Sequence, residues 1–258
     1  FKTLSKKNIA ILNYDDVYCK RIIENINCNY LTYGFNKNAD LRIHEYELNI
    51  NFSKAILKYK NKEFAIKTNL IGKYNLSNLL AAILCCLKLK ISMNDIIKSI
   101  KKISNVSGRL EKFILNNGNI AIVDYAHTPD AYENIFSTIS KIETTKKIIT
   151  IFGCGGNRDK FKRPLMAAIA ENYSNHIYIT QDNPRFEDNK DIFNDIISGF
   201  KEEKYKIVKD RKQVITEVLA NSKNSIILIL GKGVENYQEI NGIKYPHSDI
   251  NIVKEFIH

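Results

Sequence analysis

Between residues 119 and 230 the chain alternates short apolar runs with longer stretches of helical periodicity, and this rhythm leaves few folds open. The runs at 119–123, 148–152, 176–180, 205–208 and 225–230 are bounded and rich in β-branched residues, the pattern of buried strands. Helices are expected between them, from Pro129, from about Arg163, from about Asp191 and from Asp210. Thr128 before Pro129 reads as an N-cap with proline in the first turn, and Asp210 with Gln213 reads as a capping box. Strands separated by crossover helices form a mostly parallel, doubly wound α/β sheet. Parallel strands all finish on one side, so whatever follows each of them collects at one edge, where open α/β sheets bind ligands.

Four of these strands end in polar clusters. They are Asp124-Tyr125-Ala126-His127, the run from Gly153 to Arg158, Asp182-Asn183-Pro184-Arg185, and Gly231-Lys232-Gly233-Val234-Glu235. Gly153, Gly155 and Gly156 lack the G-x-G-x-x-G spacing of a dinucleotide loop. They suit a sharp turn that lets Arg158 face a ligand, whose carboxylate a planar guanidinium grips with two hydrogen bonds. A charged surface loop through Arg158, Asp159, Lys160, Lys162 and Arg163 fits the same letters. Asp182, Asn183 and Arg185 put an acceptor, an amide and a cation in a turn stiffened by Pro184, a set that can hold an amino-acid head group; a solvated proline turn fits equally. His127 alone reads as a ligand contact or as an ordinary polar group at a helix start.

Upstream the pattern differs. A short strand at 8–12 precedes a helix to about Ile26, and alternation from Leu41 to Leu70 with a turn at Lys60-Asn61-Lys62 predicts antiparallel strands. Leu76, Leu79, Leu80, Ile83 and Leu87 share one helical face, with Asn75 and Asn78 read as capping residues. Ser92 with Asp95 starts a second helix, and Ser107 to Glu111 reads as a hinge, giving domains 1–107 and 108–258. A net charge of +11 is spread along the whole length, which favours small anionic substrates over nucleic acid. The longest apolar run, Leu79 to Leu87, is half of a membrane span, so no membrane association is expected. No basic leader precedes an apolar segment, and the 5 cysteines are odd in number without metal-type spacing. Those features predict a cytoplasmic protein without disulfides, with Cys85 and Cys86 in a core helix.

The motifs GKYNLSNLLAA, VSGRLE, VDYAHTPDA, FGCGGNRDKFKRPLM, QDNPR and GKGVENYQEI, in this order and spacing, resemble the Mur ligases, and within them the diaminopimelate-adding branch. The resemblance runs from about Asn8 to about Asp249. It implies the rest of a central ATPase domain followed by a Rossmann-like C-terminal domain. The implied reaction is ATP-dependent amide formation between meso-diaminopimelate and UDP-N-acetylmuramoyl-L-alanyl-D-glutamate through an acyl phosphate, in peptidoglycan precursor synthesis. By the same resemblance Asn75, Arg109, Asp124 and His127 contact the nucleotide. Arg158, Asp182, Asn183, Arg185, Gly231 and Glu235 grip the amino acid, and the DNPR form goes with diaminopimelate rather than lysine.

Two departures stand out. Val234 occupies the position where the family has His, and no G-x-x-x-x-G-K-[ST] loop occurs in the sequence. The resemblance therefore puts the P-loop, the magnesium-binding acid and a carbamylated lysine upstream of Phe1, in an N-terminal portion that would act as a partner. The expectation is a chain that is inactive by itself and ligates no metal. The rival expectations are a lysine-adding or other sister ligase, such as a folylpolyglutamate synthase or cyanophycin synthetase, and a non-catalytic binding remnant of a split gene.

Overall fold

A computed structural model describes residues 1–143 and 145–257. It divides into two units, Phe1–Ser104 and Asn105–His258, a few residues before the boundary expected at 107/108.

The first unit carries β1 (Ile9–Asn13), α1 (Cys19–Ile23), β2 (Asn29–Gly34), β3 (Leu41–Leu48), β4 (Ser53–Tyr59), β5 (Lys62–Thr68), α2 (Lys73–Lys88) and α3 (Met93–Ile100). Its strands lie in the order β1-β2-β3-β4-β5, with β1 to β3 parallel and β3 to β5 an antiparallel meander. Lys60 and Asn61 turn between β4 and β5 with φ of 48° and 60°, the left-handed pair that matches the twist of a tight hairpin. Leu76, Leu79, Leu80, Ile83 and Leu84 of α2 close over Leu41, Ile43, Ala55 and Leu57 of the sheet. Ser92 caps α3 as expected, its Oγ accepting from the Asp95 N–H at 3.2 Å and donating to the Asp95 carboxylate at 2.6 Å.

Several expectations fail here. The first helix spans only Cys19–Ile23 because residues 14–18 form turns. The second starts at Lys73, with Gly72 at its N-cap in a positive-φ conformation, so neither Asn75 nor Asn78 caps it. Cys85 is exposed and Cys86 half-buried, since the buried stripe of α2 passes on the other side. All five cysteines are free. Strand β2 has no apolar alternation and gains its place by pairing between β1 and β3.

The second unit is the predicted parallel sheet. It contains β6 (Glu111–Ile114), β7 (Ile120–Asp124), α4 (Pro129–Ile142), β8 (Lys147–Phe152), α5 (Lys162–Tyr173), β9 (His176–Ile179), α6 (Asn189–Ile197), β10 (Tyr205–Ile207), α7 (Arg211–Asn221) and β11 (Ser225–Leu230). The hairpin β12 (Tyr237–Ile240) and β13 (Ile243–Pro246) and helix α8 (Asp249–Lys254) complete it. The strand order is β10-β9-β8-β11-β7-β6, parallel except for the antiparallel edge strand β6. Strand β11 returns between β8 and β7, so the chain reverses its direction of travel there, and such a reversal opens a crevice at the carboxyl ends.

Alternate residues of β7, β8 and β11 face opposite sides, as the pleat requires. Val123, Ile151, Ile227 and Ile229 pack with Val214, Val218 and Leu219 of α7 and with Ile252 and Val253 of α8. On α4, Tyr132 meets Phe136 and Phe152 edge to face at ring separations of 5.8 and 5.7 Å. Thr128 and Asp210 cap α4 and α7 as expected. Helix α6 starts at Asn189 under an Asp188 cap rather than at Asp191. No periodicity in the sequence marks β6, β12, β13 or α8; these are short, and β12 and β13 bury no residue fully.

Candidate functional site

The four polar clusters converge. The loops after β7, β8, β9 and β11 enclose one cavity of about 300 Å³, lined by Tyr125, His127, Arg158, Lys162, Asp182, Asn183, Arg185, Gly231 and Glu235, with Cys154 and Met166 at its base.

Its lining has a cationic wall and an acidic one. On the cationic wall, a Cβ placed on Gly155 would lie 3.0 Å from Arg185 Nη1 and 3.7 Å from Arg158 Cγ, so the two arginines flank that glycine. Arg185 is in the left-handed region, φ 54°, held by its N–H on the Glu239 carbonyl at 3.0 Å and by the Asn241 N–H on its own carbonyl at 2.7 Å. Its guanidinium donates to the Gly156 carbonyl at 2.9 Å and pairs with Glu239 at 3.3 Å. Arg158 is exposed, and neither it nor Lys162 has a hydrogen-bond or ion-pair partner among the described residues.

The other wall is acidic. Asp182 has a side chain only 10% exposed, and its nearest cation is Lys232 at 3.9 Å, beyond hydrogen-bond distance. Gly231 passes over this carboxylate with φ 114°, where a Cβ would stand 2.7 Å from Asp182 Oδ2, so glycine is required twice over. Asn183 Nδ2 donates to Glu235 Oε2 at 2.9 Å. Lys232 lies within the Gly231–Glu235 cluster. It is fully buried and donates at 2.9 Å to both Asn183 Oδ1 and Glu235 Oε2. Only its place between Gly231 and Glu235 could have flagged it. Burial pushes the Cys154 thiol up to about 12, so it stays protonated beneath the cavity.

Arg163 holds the two cavity loops in register. It is not a solvated loop residue: it is fully buried and donates to the Gly155 carbonyl at 3.1 Å, to both oxygens of Glu187 at 2.7 and 2.9 Å, and to Asp195 at 2.8 Å. Glu187 also accepts from the Asn157 N–H at 2.9 Å. The arm carrying Arg158 and the arm carrying Arg185 are thus tied to one guanidinium. The Arg163 hydrogen bond in turn holds the Glu187 carboxyl well below the usual carboxylate range. A methyl on Gly156 would collide with the Pro184 carbonyl, which shows how closely the arms approach.

Of the remaining expected residues, His127 lines the cavity, and Asp124, Arg109 and Asn75 do not. Asp124 is buried and accepts from the Leu110 and Ala126 N–H groups at 2.6 and 2.7 Å, which pins the strand end to the hinge peptide. The exposed Arg109 lays its guanidinium 5.1 Å from the Tyr125 ring centre, and Tyr125 meets the His127 ring edge-on at 4.8 Å. His127 Nδ1 lies 2.8 Å from the Tyr125 carbonyl, and because a carbonyl only accepts, that nitrogen is the donor. Asn75 belongs to the other unit, where its buried amide donates to the Ile71 carbonyl at 2.8 Å.

The Mur ligase middle domain matches residues 1–86, and the Mur ligase glutamate ligase domain matches residues 108–233. The chain belongs to the Mur ligase family. Curated Mur ligases similar to it include the UDP-N-acetylmuramoyl-L-alanyl-D-glutamate–2,6-diaminopimelate ligase of Aquifex aeolicus, 41% identical over 254 residues, which covers 98% of this chain and 52% of that protein. The enzyme of the same name from Fusobacterium nucleatum is 39% identical over 262 residues, covering 100% of this chain and 53% of that protein. A solved structure of a ligase of that name superposes with a TM-score of 0.64 at 31% identity, over 97% of this chain and 53% of that one. The chain spans about half the length of the curated Mur ligases it matches.

Arg109, Tyr125 and His127 make a cationic and aromatic ledge, with Arg109 and His127 exposed and Tyr125 half-buried between them. Among the described residues no group of three His, Cys, Asp or Glu residues stands where it could hold a metal ion. Among the described residues no helix is long and apolar enough to cross a membrane.

Proposed function

We propose that this chain supplies the amino-acid site of a Mur ligase that adds meso-diaminopimelate to UDP-N-acetylmuramoyl-L-alanyl-D-glutamate, in the cytoplasm, during peptidoglycan precursor synthesis. The curated ligases quoted above carry that activity in their names. In this reading residues 1–107 are the C-terminal part of the central ATP-binding domain and 108–258 the C-terminal domain. ATP and magnesium act in the assembled enzyme, with Arg109, Asp124, His127 and Asn75 on the nucleotide side.

The observation that carries the reading is that an almost buried Asp182 carboxylate, with no hydrogen-bond donor among the described residues, lines the same cavity as Arg158 and Arg185. A buried carboxylate offset only by a cation at 3.9 Å is expensive, and a ligand ammonium supplies the missing hydrogen bond. The two guanidiniums receive a carboxylate in the fork geometry that lysine cannot offer. A ligand bearing an ammonium and a carboxylate on one carbon satisfies both walls, and the cavity of about 300 Å³ suits one amino acid end. In the assembled enzyme the muramoyl dipeptide carboxylate would take the γ-phosphoryl group of ATP, releasing ADP, and the second amino group of the bound amino acid would then displace phosphate from the acyl phosphate and give up a proton. The residues of this chain contribute orientation: they hold one end of the amino acid so that the other end presents its amine.

The test compares meso-diaminopimelate with L-lysine, which lacks the distal carboxylate, by calorimetric titration of the chain. Meso-diaminopimelate is expected to bind the more tightly. Arg185→Ala is expected to weaken it by roughly 10- to 100-fold, the effect of losing a charge-assisted hydrogen bond of about 1.5–3 kcal/mol. Equal affinity of the native chain for the two ligands, or an Arg185→Ala chain that binds meso-diaminopimelate as tightly as the native one, would overturn the assignment in favour of a lysine-adding or other sister ligase.

A further inference from the structure

We propose that Lys232 is a positioning residue: its buried ammonium sets the charge and the orientation of the acidic wall, and so decides how the site presents itself to a ligand ammonium. The inference rests on the amino-acid site assigned above and goes beyond it, because Lys232 does not line the cavity. It stands behind the wall.

The amide of Asn183 could face either way, and its neighbours leave one choice. Its Oδ1 receives the Lys232 ammonium at 2.9 Å and the Glu239 N–H at 3.0 Å, so its Nδ2 must turn to Glu235, which it reaches at 2.9 Å. Glu235 Oε2 then accepts from both Lys232 and Asn183. That oxygen is saturated, and Oε1 remains to meet a ligand. Asp182, at 3.9 Å from Lys232, feels the charge without being consumed by a hydrogen bond. Two carboxylates and one ammonium leave a single net negative charge at this end of the cavity, matching one ammonium on the ligand. The Tyr237 ring, 5.7 Å from the ammonium, covers it from another side.

A fully buried lysine is unusual unless paired, and one paired with ligand-facing groups does more than fill space. Without its charge, Asp182 and Glu235 become two like charges in one nearly dry corner. They repel, Asn183 loses the acceptor contact that orients it, and neither acid is held for the ligand.

A double-mutant cycle separates this role from simple structural support. Lys232→Gln, which keeps an amide donor and removes the charge, is expected to weaken meso-diaminopimelate about tenfold in the otherwise native chain. In a Glu235→Gln background, where the like-charge conflict is gone, the same substitution is expected to change affinity by less than about twofold. Equal losses in both backgrounds, or binding that is unchanged or tighter in Lys232→Gln, would overturn the proposal. A second measurement needs no variant. The Lys232 ammonium resonance, kept from rapid solvent exchange by burial, is expected to shift in ¹H–¹⁵N spectra as meso-diaminopimelate is titrated in; a resonance that stays still while the ligand binds overturns the role. A native chain that binds no meso-diaminopimelate would overturn the amino-acid site itself, and this inference with it.

Discussion

Asp249 shows at a single residue how opposing effects are resolved. Burial pushes its carboxyl up, but the charge of Arg211 and the hydrogen bonds from Arg211 and His247 outweigh it and hold the group well below the usual carboxylate range. The partners sit at 2.9 and 2.7 Å from Arg211 and 2.7 Å from His247, and Arg211 also donates to the Leu230 carbonyl at 3.0 Å, just before the glycine of the acidic wall. With the folded value below the unfolded one, the unfolded chain binds more protons in acid. The stabilisation is therefore present above an unfolded carboxylate pKa of about 4 and is lost as pH falls through and below it. Asp249→Asn leaves Arg211 buried without a counter-charge and is expected to cost about 3–5 kcal/mol at neutral pH. It should also flatten the acid limb of a melting-temperature profile; a variant whose limb parallels the native one would show that other carboxylates control acid unfolding.

At the scale of elements, the caps were readable because their chemistry is local. Ser92, Thr128 and Asp210 each accept the N–H three residues on, at 3.2, 3.3 and 2.9 Å, as a side-chain oxygen at that position must if the helix starts there. Replacing Ser92 or Asp210 by Ala is expected to destabilise its unit by about 1 kcal/mol, measured as a lower urea midpoint with unchanged slope. Asn75 looked like such a cap and is not one. Its helix begins a turn earlier under Gly72, whose φ of 95° no side-chain pattern announced. The short strands β2 and β6 and the β12–β13 hairpin escaped because neighbouring strands, rather than their own periodicity, hold them extended.

At the scale of the molecule, every residue lining the charged cavity falls between Tyr125 and Glu235, inside the unit Asn105–His258. That unit has its own core on the α7–α8 face of its sheet, built from Phe113, Val123, Ile151, Val218, Ile229 and Val253 among others. Residues 105–258 expressed alone are therefore expected to fold cooperatively and to bind meso-diaminopimelate with the affinity of the full chain. Loss of binding in a folded 105–258 protein would place a necessary group in the other unit.

Strand and helix periodicity, the helix caps and the gathering of four polar clusters at one sheet edge follow from the order of residues, because parallel topology alone sends every strand end to the same side. What tertiary structure alone decided is the division of labour among charges. Arg158, Arg163 and Arg185 look alike in a basic loop, yet one faces the cavity unpaired, one is buried as a clasp and one is fixed by a strained turn. Lys232 and Asp182 stand far apart in the sequence and take their meaning from each other, and burial and distance, which no local pattern encodes, set how strongly such groups act.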